Sequence, residues 1–191
     1  MNQVLNDWAL GDGNVVLDPF AGSGTVPLVC DSVGVLGLGI EAHSTVANVS
    51  RAKLMWSSSH ERFSAFVQKV IDDAAEIAAE IKDDGFVYPS LIQRSFSPEW
   101  LARLHALRMA WQQNADGSEA SELTWMAITA ILRPVSSAGT AQWQYICPTR
   151  PEAGCYPDVA LRRQVETMLH DMRWMQLRNG RDGADHRRRC A

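Results

Sequence analysis

Val15-Val16-Leu17-Asp18-Pro19-Phe20-Ala21-Gly22-Ser23-Gly24-Thr25, with Val35-Leu36-Gly37-Leu38-Gly39-Ile40-Glu41 close behind, decides how this chain begins to fold. Each stretch opens on a short apolar run, β-branched or leucine-rich, of the kind found in buried parallel strands. The first run ends in a glycine turn, and a helix is predicted from about Thr25 to Val33. The second run ends at an acid, Glu41. Strand, glycine turn, helix, strand, acid is the order of a βαβ unit, whose two strands lie parallel. The predicted fold class is therefore α/β.

On the N-terminal side, Val4, Leu5 and Trp8 share one helical face, and Gly11-Asp12-Gly13-Asn14 breaks it. On the C-terminal side the pattern turns helical. Ser44 opens a helix to about Trp56. After Ser57-Ser58-Ser59, a long helix runs to Lys82 and stops at Asp83-Asp84-Gly85. Phe86 to Phe96 reads as irregular or extended. Ser97-Pro98 starts another helix, because serine caps well and proline is tolerated in the first turn. Leu101, Leu104, Leu107 and Trp111 then recur at helical spacing. Asn114 to Ser118 is a loop, a helix follows from Ser121 to Leu132, and Pro134 limits it. Residues 136–157 read as loop, and Asp158 opens a last helix to about Leu177. Three regions result: a βαβ unit over 1–56, a large helical insertion over 57–140, and a loop, helix and basic tail over 141–191. With only two convincing strands the sheet is expected to be incomplete, leaving edges that such folds normally pair.

The chain has 191 residues, 46% of them hydrophobic and 21% charged, which excludes a wholly disordered, collagen-like or mucin-like polymer. No apolar run approaches the about 18 residues of a membrane span, and the first residues carry neither a basic nor an apolar leader region. A cytoplasmic location without membrane attachment is the expectation. The formal net charge of −4 gives no global basic field for nucleic acid, although a local basic groove suffices for such binding. Cys30, Cys147, Cys155 and Cys190 form no C-x-x-C pair, so they read as reduced thiols rather than zinc ligands.

The glycine turn carries the chemistry. Glycine accepts backbone angles forbidden to other residues and lets the main chain approach a ligand closely. A turn at the C-terminal end of a parallel strand lies where open α/β sheets bind ligands. Glu41, 23 residues after Asp18, is placed to accept hydrogen bonds from both hydroxyls of a ribose. Pro27 stands where a G-x-G-x-x-G pattern needs its third glycine, and no Gly-Lys-Ser/Thr follows. A nicotinamide site and a P-loop are thus disfavoured. The residues point to a nucleoside-containing cofactor in a Rossmann-like unit.

Val16 to Thr25, with Gly39-Ile40-Glu41, closely resembles the cofactor motifs of the S-adenosylmethionine-dependent DNA amino-methyltransferases, the adenine-N6 and cytosine-N4 enzymes. D-P-F-x-G-S-G-T is the specific part. The resemblance implies a Rossmann-like methyltransferase unit with S-adenosyl-L-methionine as cofactor and DNA as partner. It assigns cofactor binding to the turn Asp18, Pro19, Phe20, Ala21, Gly22, Ser23, Gly24 and Thr25, and ribose binding to Glu41. The segment Arg51-Ala52-Lys53 is similar to the family's helix after the acid. Phe96 to Leu104 and Ala130 to Ser136 resemble, more weakly, the inserted helices of one bacterial group.

The family's second motif, Asp/Asn/Ser-Pro-Pro-aromatic, holds the target amine and stacks on an extruded base. This sequence has no Pro-Pro pair. Ser97-Pro98-Glu99-Trp100 comes nearest but reads as a helix cap, so no catalytic residue is named. The expectation is a truncated form of a DNA amino-methyltransferase. The alternatives are a non-catalytic cofactor-binding or partner subunit, completed by a chain carrying the missing motif, and an RNA methyltransferase. The tail from Arg178 carries five arginines and reads either as a basic nucleic-acid arm or as out-of-frame translation. Cys30 is expected in the core and His43 at the surface. The remaining histidines lack metal spacing. Asp72, Asp73, Glu76 and Glu80 form a solvated helix face, and Trp100, Trp111 and Trp125 are expected as core.

Overall fold

The computed structural model describes residues 4, 7–11, 13–81, 88–140, 146–148 and 155–179. Leu5, Asp12, the Asp83-Asp84-Gly85 stop, Phe86 and the arginine tail from Gly180 onward lie outside the described residues. In order, the elements are β1 (Val15–Asp18), α1 (Thr25–Ser32), β2 (Leu36–Gly39), α2 (Ser44–Lys53), α3 (His60–Glu80), α4 (Ser90–Ser95), α5 (Pro98–Asn114), α6 (Glu119–Ile131), β3 (Ala138–Thr140), β4 (Ile146–Pro148) and α7 (Pro157–Asn179). The chain divides into two compact units, residues 1–59 with 169–191, and residues 60–168. The fold is mostly helical with a small parallel sheet, an α/β arrangement in which the sheet is incomplete.

In the first unit β1 and β2 pair in parallel, with Val15 opposite Leu36 and Leu17 opposite Leu38. One face of the pair is covered by α1. Cys30 and Val35 are buried there, with Leu10, Val16, Val26 and Val29 packed around them. The approach is close because Gly37 and Gly39 present no side chain. A Cβ at Gly37 would lie 2.8 Å from the Pro27 Cα and 2.9 Å from the Cys30 Cβ. A Cβ at Gly39 would lie 2.7 Å from the Ala21 Cβ. Helix α1 stops in a Schellman turn. Gly34 takes φ +79°, its N–H donates to the Asp31 carbonyl, and the Val35 N–H reaches back to the Cys30 carbonyl. Trp56 is buried, its Nε1 donates to Asp31 Oδ2 at 2.6 Å, and its carbonyl accepts from Gln176 Nε2 of α7 at 3.0 Å.

The opposite face of the pair corrects the expectation of buried strands. Val15, Leu17, Leu36, Leu38 and Ile40 are 43–58% exposed. Period-2 alternation sends these side chains away from α1, and among the described residues each strand pairs only with the other.

In the second unit α3 packs against α5 and α6. Phe63, Val67, Val70, Ile71 and Ala74 form the buried stripe of α3. Leu101, Leu104, Leu107 and Ala110 of α5 and Leu123, Ala127 and Ile131 of α6 are likewise buried, and the three helices contact one another. Ser97 caps α5, its hydroxyl accepting from the Trp100 N–H at 3.4 Å, with Pro98 in the first turn. Ser118 caps α6 in the same way. Asn114 Nδ2 ties α5 to α3 by donating to Asp73 Oδ2 at 2.6 Å. Of the acidic face on α3, Asp72, Glu76 and Glu80 are exposed as expected. Two segments differ from the sequence expectation. Ser90 to Ser95 is a short helix rather than extended chain, and residues 138–140 and 146–148 form an antiparallel pair inside the expected loop. Three-residue strands and a six-residue helix lie below the length at which periodicity is readable.

Two outcomes are expected. Gly37→Ala drives a methyl into the Pro27 main chain, so it lowers stability by about 1–3 kcal/mol in urea unfolding. Gly11→Ala, with nothing within 4 Å, is the neutral control. The Asp73 carboxyl is held below the usual carboxylate range by its hydrogen bond from Lys69 and then by that from Asn114. A depressed carboxyl stabilises the fold above its unfolded pKa, about 3.9, and loses that contribution as pH falls through its folded value. The urea midpoint therefore falls less between pH 7 and pH 2.5 in Asp73→Asn than in the parent.

Candidate functional site

The C-terminal ends of β1 and β2 carry the turn from Asp18 to Thr25 and the acid Glu41. Asp18 starts the turn by folding onto it, its Oδ1 accepting from the Phe20 N–H at 3.0 Å across Pro19. Ala21 is buried against Gly39, and its N–H donates to the Ile40 carbonyl at 3.0 Å. This bond carries the turn across to the end of β2. Gly22 follows at φ +53° and Gly24 at φ +80°, the left-handed region that other residues rarely adopt.

The two glycines serve different ends. A Cβ on Gly24 would lie 2.1 Å from the Ser50 Oγ, so Gly24 lets α2 close against the turn. A Cβ on Gly22 would meet only the Phe20 carbonyl, at 4.0 Å, so the space beside the Gly22 main chain is open. Gly24 is also the cap residue of α1 and supplies no side-chain hydrogen bond, leaving the first-turn N–H groups of the helix uncapped by a side chain.

Glu41 joins the two strand ends. Its Oε2 accepts from the Gly22 N–H at 3.0 Å and its Oε1 from the His43 N–H at 2.8 Å. A carboxylate offers about four lone-pair sites, so two remain on an anion whose orientation is set by main chain on both sides. Phe20, in the same turn, is 89% exposed. Of the residues named from the sequence, the structure therefore brings Asp18, Phe20, Ala21, Gly22, Ser23 and Gly24 into one turn and links Glu41 to its middle. Pro19, within the turn, and Thr25, at its end, are exposed. His43 is exposed, as expected, and Cys30 is fully buried, its thiol pushed up by burial and then by Asp31.

Lys53 is the residue that sequence reading did not assign to the site. Its Nζ donates to the Ser23 carbonyl at 2.9 Å and to the Ser23 Oγ at 3.1 Å. Thirty positions separate the pair, and no spacing rule connects them. Only the seating of Ser50 over Gly24, one turn earlier on α2, brings the ammonium there. Trp100 is buried, whereas Trp111 and Trp125, expected as core, are half-buried. Among the described residues no cluster of His, Cys, Asp or Glu is arranged to hold a metal, and no helix is long and apolar enough to cross a membrane.

Compared with models of protein families, with curated proteins and with solved structures, the chain matches none.

Removing the Glu41 carboxylate leaves the Gly22 and His43 N–H groups without their acceptor. Glu41→Ala is therefore expected to lower stability by about 1–3 kcal/mol with no ligand present, read in urea unfolding. An unchanged midpoint would contradict the bridging role.

Proposed function

We propose that the first unit is the Rossmann-like cofactor half of an S-adenosylmethionine-dependent DNA amino-methyltransferase, acting on adenine N6 or cytosine N4. The observation that carries the reading is the Glu41 carboxylate fixed against Gly22, beside an open space over the glycine main chain. The residues fit the cofactor. Glu41 keeps acceptor sites for two ribose hydroxyls, and Gly22 admits a ligand against its backbone. Phe20 offers an open aromatic face, and Asp18 and Lys53 hold the turn in shape. When bound, the cofactor supplies an electrophilic methyl group. The chain's part is to bind and orient it, and positioning provides most of the advantage in such a transfer.

No Asp/Asn/Ser-Pro-Pro-aromatic motif occurs in these residues. Ser97 and Pro98, the nearest match, begin α5 as a capped helix. This chain is accordingly read as binding the methyl donor without a group to hold the target amine. A second reading, a non-catalytic subunit completed by another chain, is favoured by the apolar outer face of the β1–β2 pair. Parallel sheets are normally covered on both faces, and this one presents Val15, Leu17, Leu36, Leu38 and Ile40 to solvent.

Isothermal titration calorimetry with S-adenosylmethionine tests the reading. One molecule is expected to bind per chain. Glu41→Ala weakens binding by about 1.5–3 kcal/mol, measured well below its unfolding temperature. Phe20→Ala weakens it by about 0.5–1.5 kcal/mol without changing stability, because that ring is exposed. A parent chain that takes up no cofactor would overturn the proposal. Methyl transfer to DNA by the chain alone would sink both the absence of a working amine site and the non-catalytic alternative.

A further inference from the structure

The second unit holds a cleft of about 640 Å³ between α4, α5 and α6, far larger than the gaps of a packed core and in the range of small-molecule sites. Phe96, Trp111 and Trp125 line it, with leucines and isoleucines between them. Several polar groups of its walls are turned inward to protein partners. Ser95 Oγ donates to the Leu91 carbonyl, Thr129 Oγ1 to the Trp125 carbonyl, and Ser136 Oγ to the Ser95 carbonyl. The Trp111 Nε1 donates to the Ser121 carbonyl at 2.9 Å, and the Tyr88 hydroxyl lies 2.7 Å from His105 Nδ1. The interior therefore offers aromatic and aliphatic surface rather than unmet hydrogen bonds.

Among the described lining residues, charge is carried by exposed arginines. Arg108 and Arg133 line the cleft and are exposed, and no Asp or Glu is among its described lining residues. This is the reverse of the chain's overall balance of −4. Burial, and then the charge of Arg108, push the His105 imidazole below the ordinary histidine range, so at neutral pH the ring adds no charge. An apolar ligand body gains from leaving water against the tryptophans, and an anionic group on it gains from the exposed Arg108 guanidinium.

We propose that this cleft binds a small organic anion with a planar aromatic body. The site is separate from the glycine turn and does not depend on the function proposed for it. Titration of the full chain with 2-naphthoate and with neutral 2-naphthamide, read by calorimetry, tests it. Naphthoate is expected to bind one per chain, about tenfold tighter than the amide. Arg108→Gln removes that preference. Trp125→Ala weakens both ligands, and Gly11→Ala leaves both unchanged. Should Arg108→Gln fail to fold, the parent decides: its affinity for naphthoate falls as sodium chloride rises from 0.02 to about 0.5 M, while that for the amide holds. Equal binding of acid and amide, a preference surviving Arg108→Gln or insensitive to salt, or no saturable binding of naphthoate would each overturn the proposal.

Discussion

The contact between α1 and β2 is the constraint on which the first unit depends. At the inward positions of β2 the chain carries Gly37 and Gly39, so Pro27, Cys30 and Ala21 rest on the strand's main chain itself. That distance sets the height of the turn above the sheet. It brings the Ala21 N–H to the Ile40 carbonyl and the Gly22 N–H to the Glu41 carboxylate. A side chain at either glycine would lift the helix and part the acid from the turn. The geometry at the C-terminal ends of the strands is therefore a consequence of packing beneath it, and Gly24 extends the same device to α2 through Ser50.

The two units solve the burial problem differently. The second closes on itself, with α3 against α5 and α6, serine caps at two helix starts, and side-chain ties such as Asn114 to Asp73 across helices. Among the described residues, the first covers only one side of its sheet. Its outer face sets Val15 opposite Leu36 and Leu17 opposite Leu38, both pairs apolar. Such pairs gain little from the ladder alone, since parallel strands owe their stability to the layers that cover them. The composition of β1 and β2 is that of a sheet designed for two covering layers.

The two proposed sites, the glycine turn and the aromatic cleft, also contrast in what they would offer a ligand. At the turn, main-chain groups and one oriented carboxylate are held by protein hydrogen bonds, an arrangement that would lower the ordering cost of binding. In the cleft, the Ser95 and Thr129 hydroxyls are already satisfied, and the force a ligand would meet is mainly apolar area, with Arg108 exposed in the lining.

The order of strand, turn, helix, strand and acid was legible because each step has a local cause. Alternating or continuous apolar runs make strands, glycines permit positive φ, and Ser97 with Pro98 opens a helix wherever it stands. The candidate turn and Glu41 were legible for the same reason. The short helix α4 and the β3–β4 pair were not, because few residues carry no period. Neither was the bare face of the sheet, since Val15 and Leu17 read alike whether or not a layer covers them. Lys53 on Ser23, and Trp111 and Trp125 around a cleft rather than within a core, depend on which helices meet. The sequence by itself determined the local conformations and the residue types at the ends of the strands. Only the tertiary structure decided which of them touch, because contacts between distant residues are set by how closely helices seat on strands and on one another.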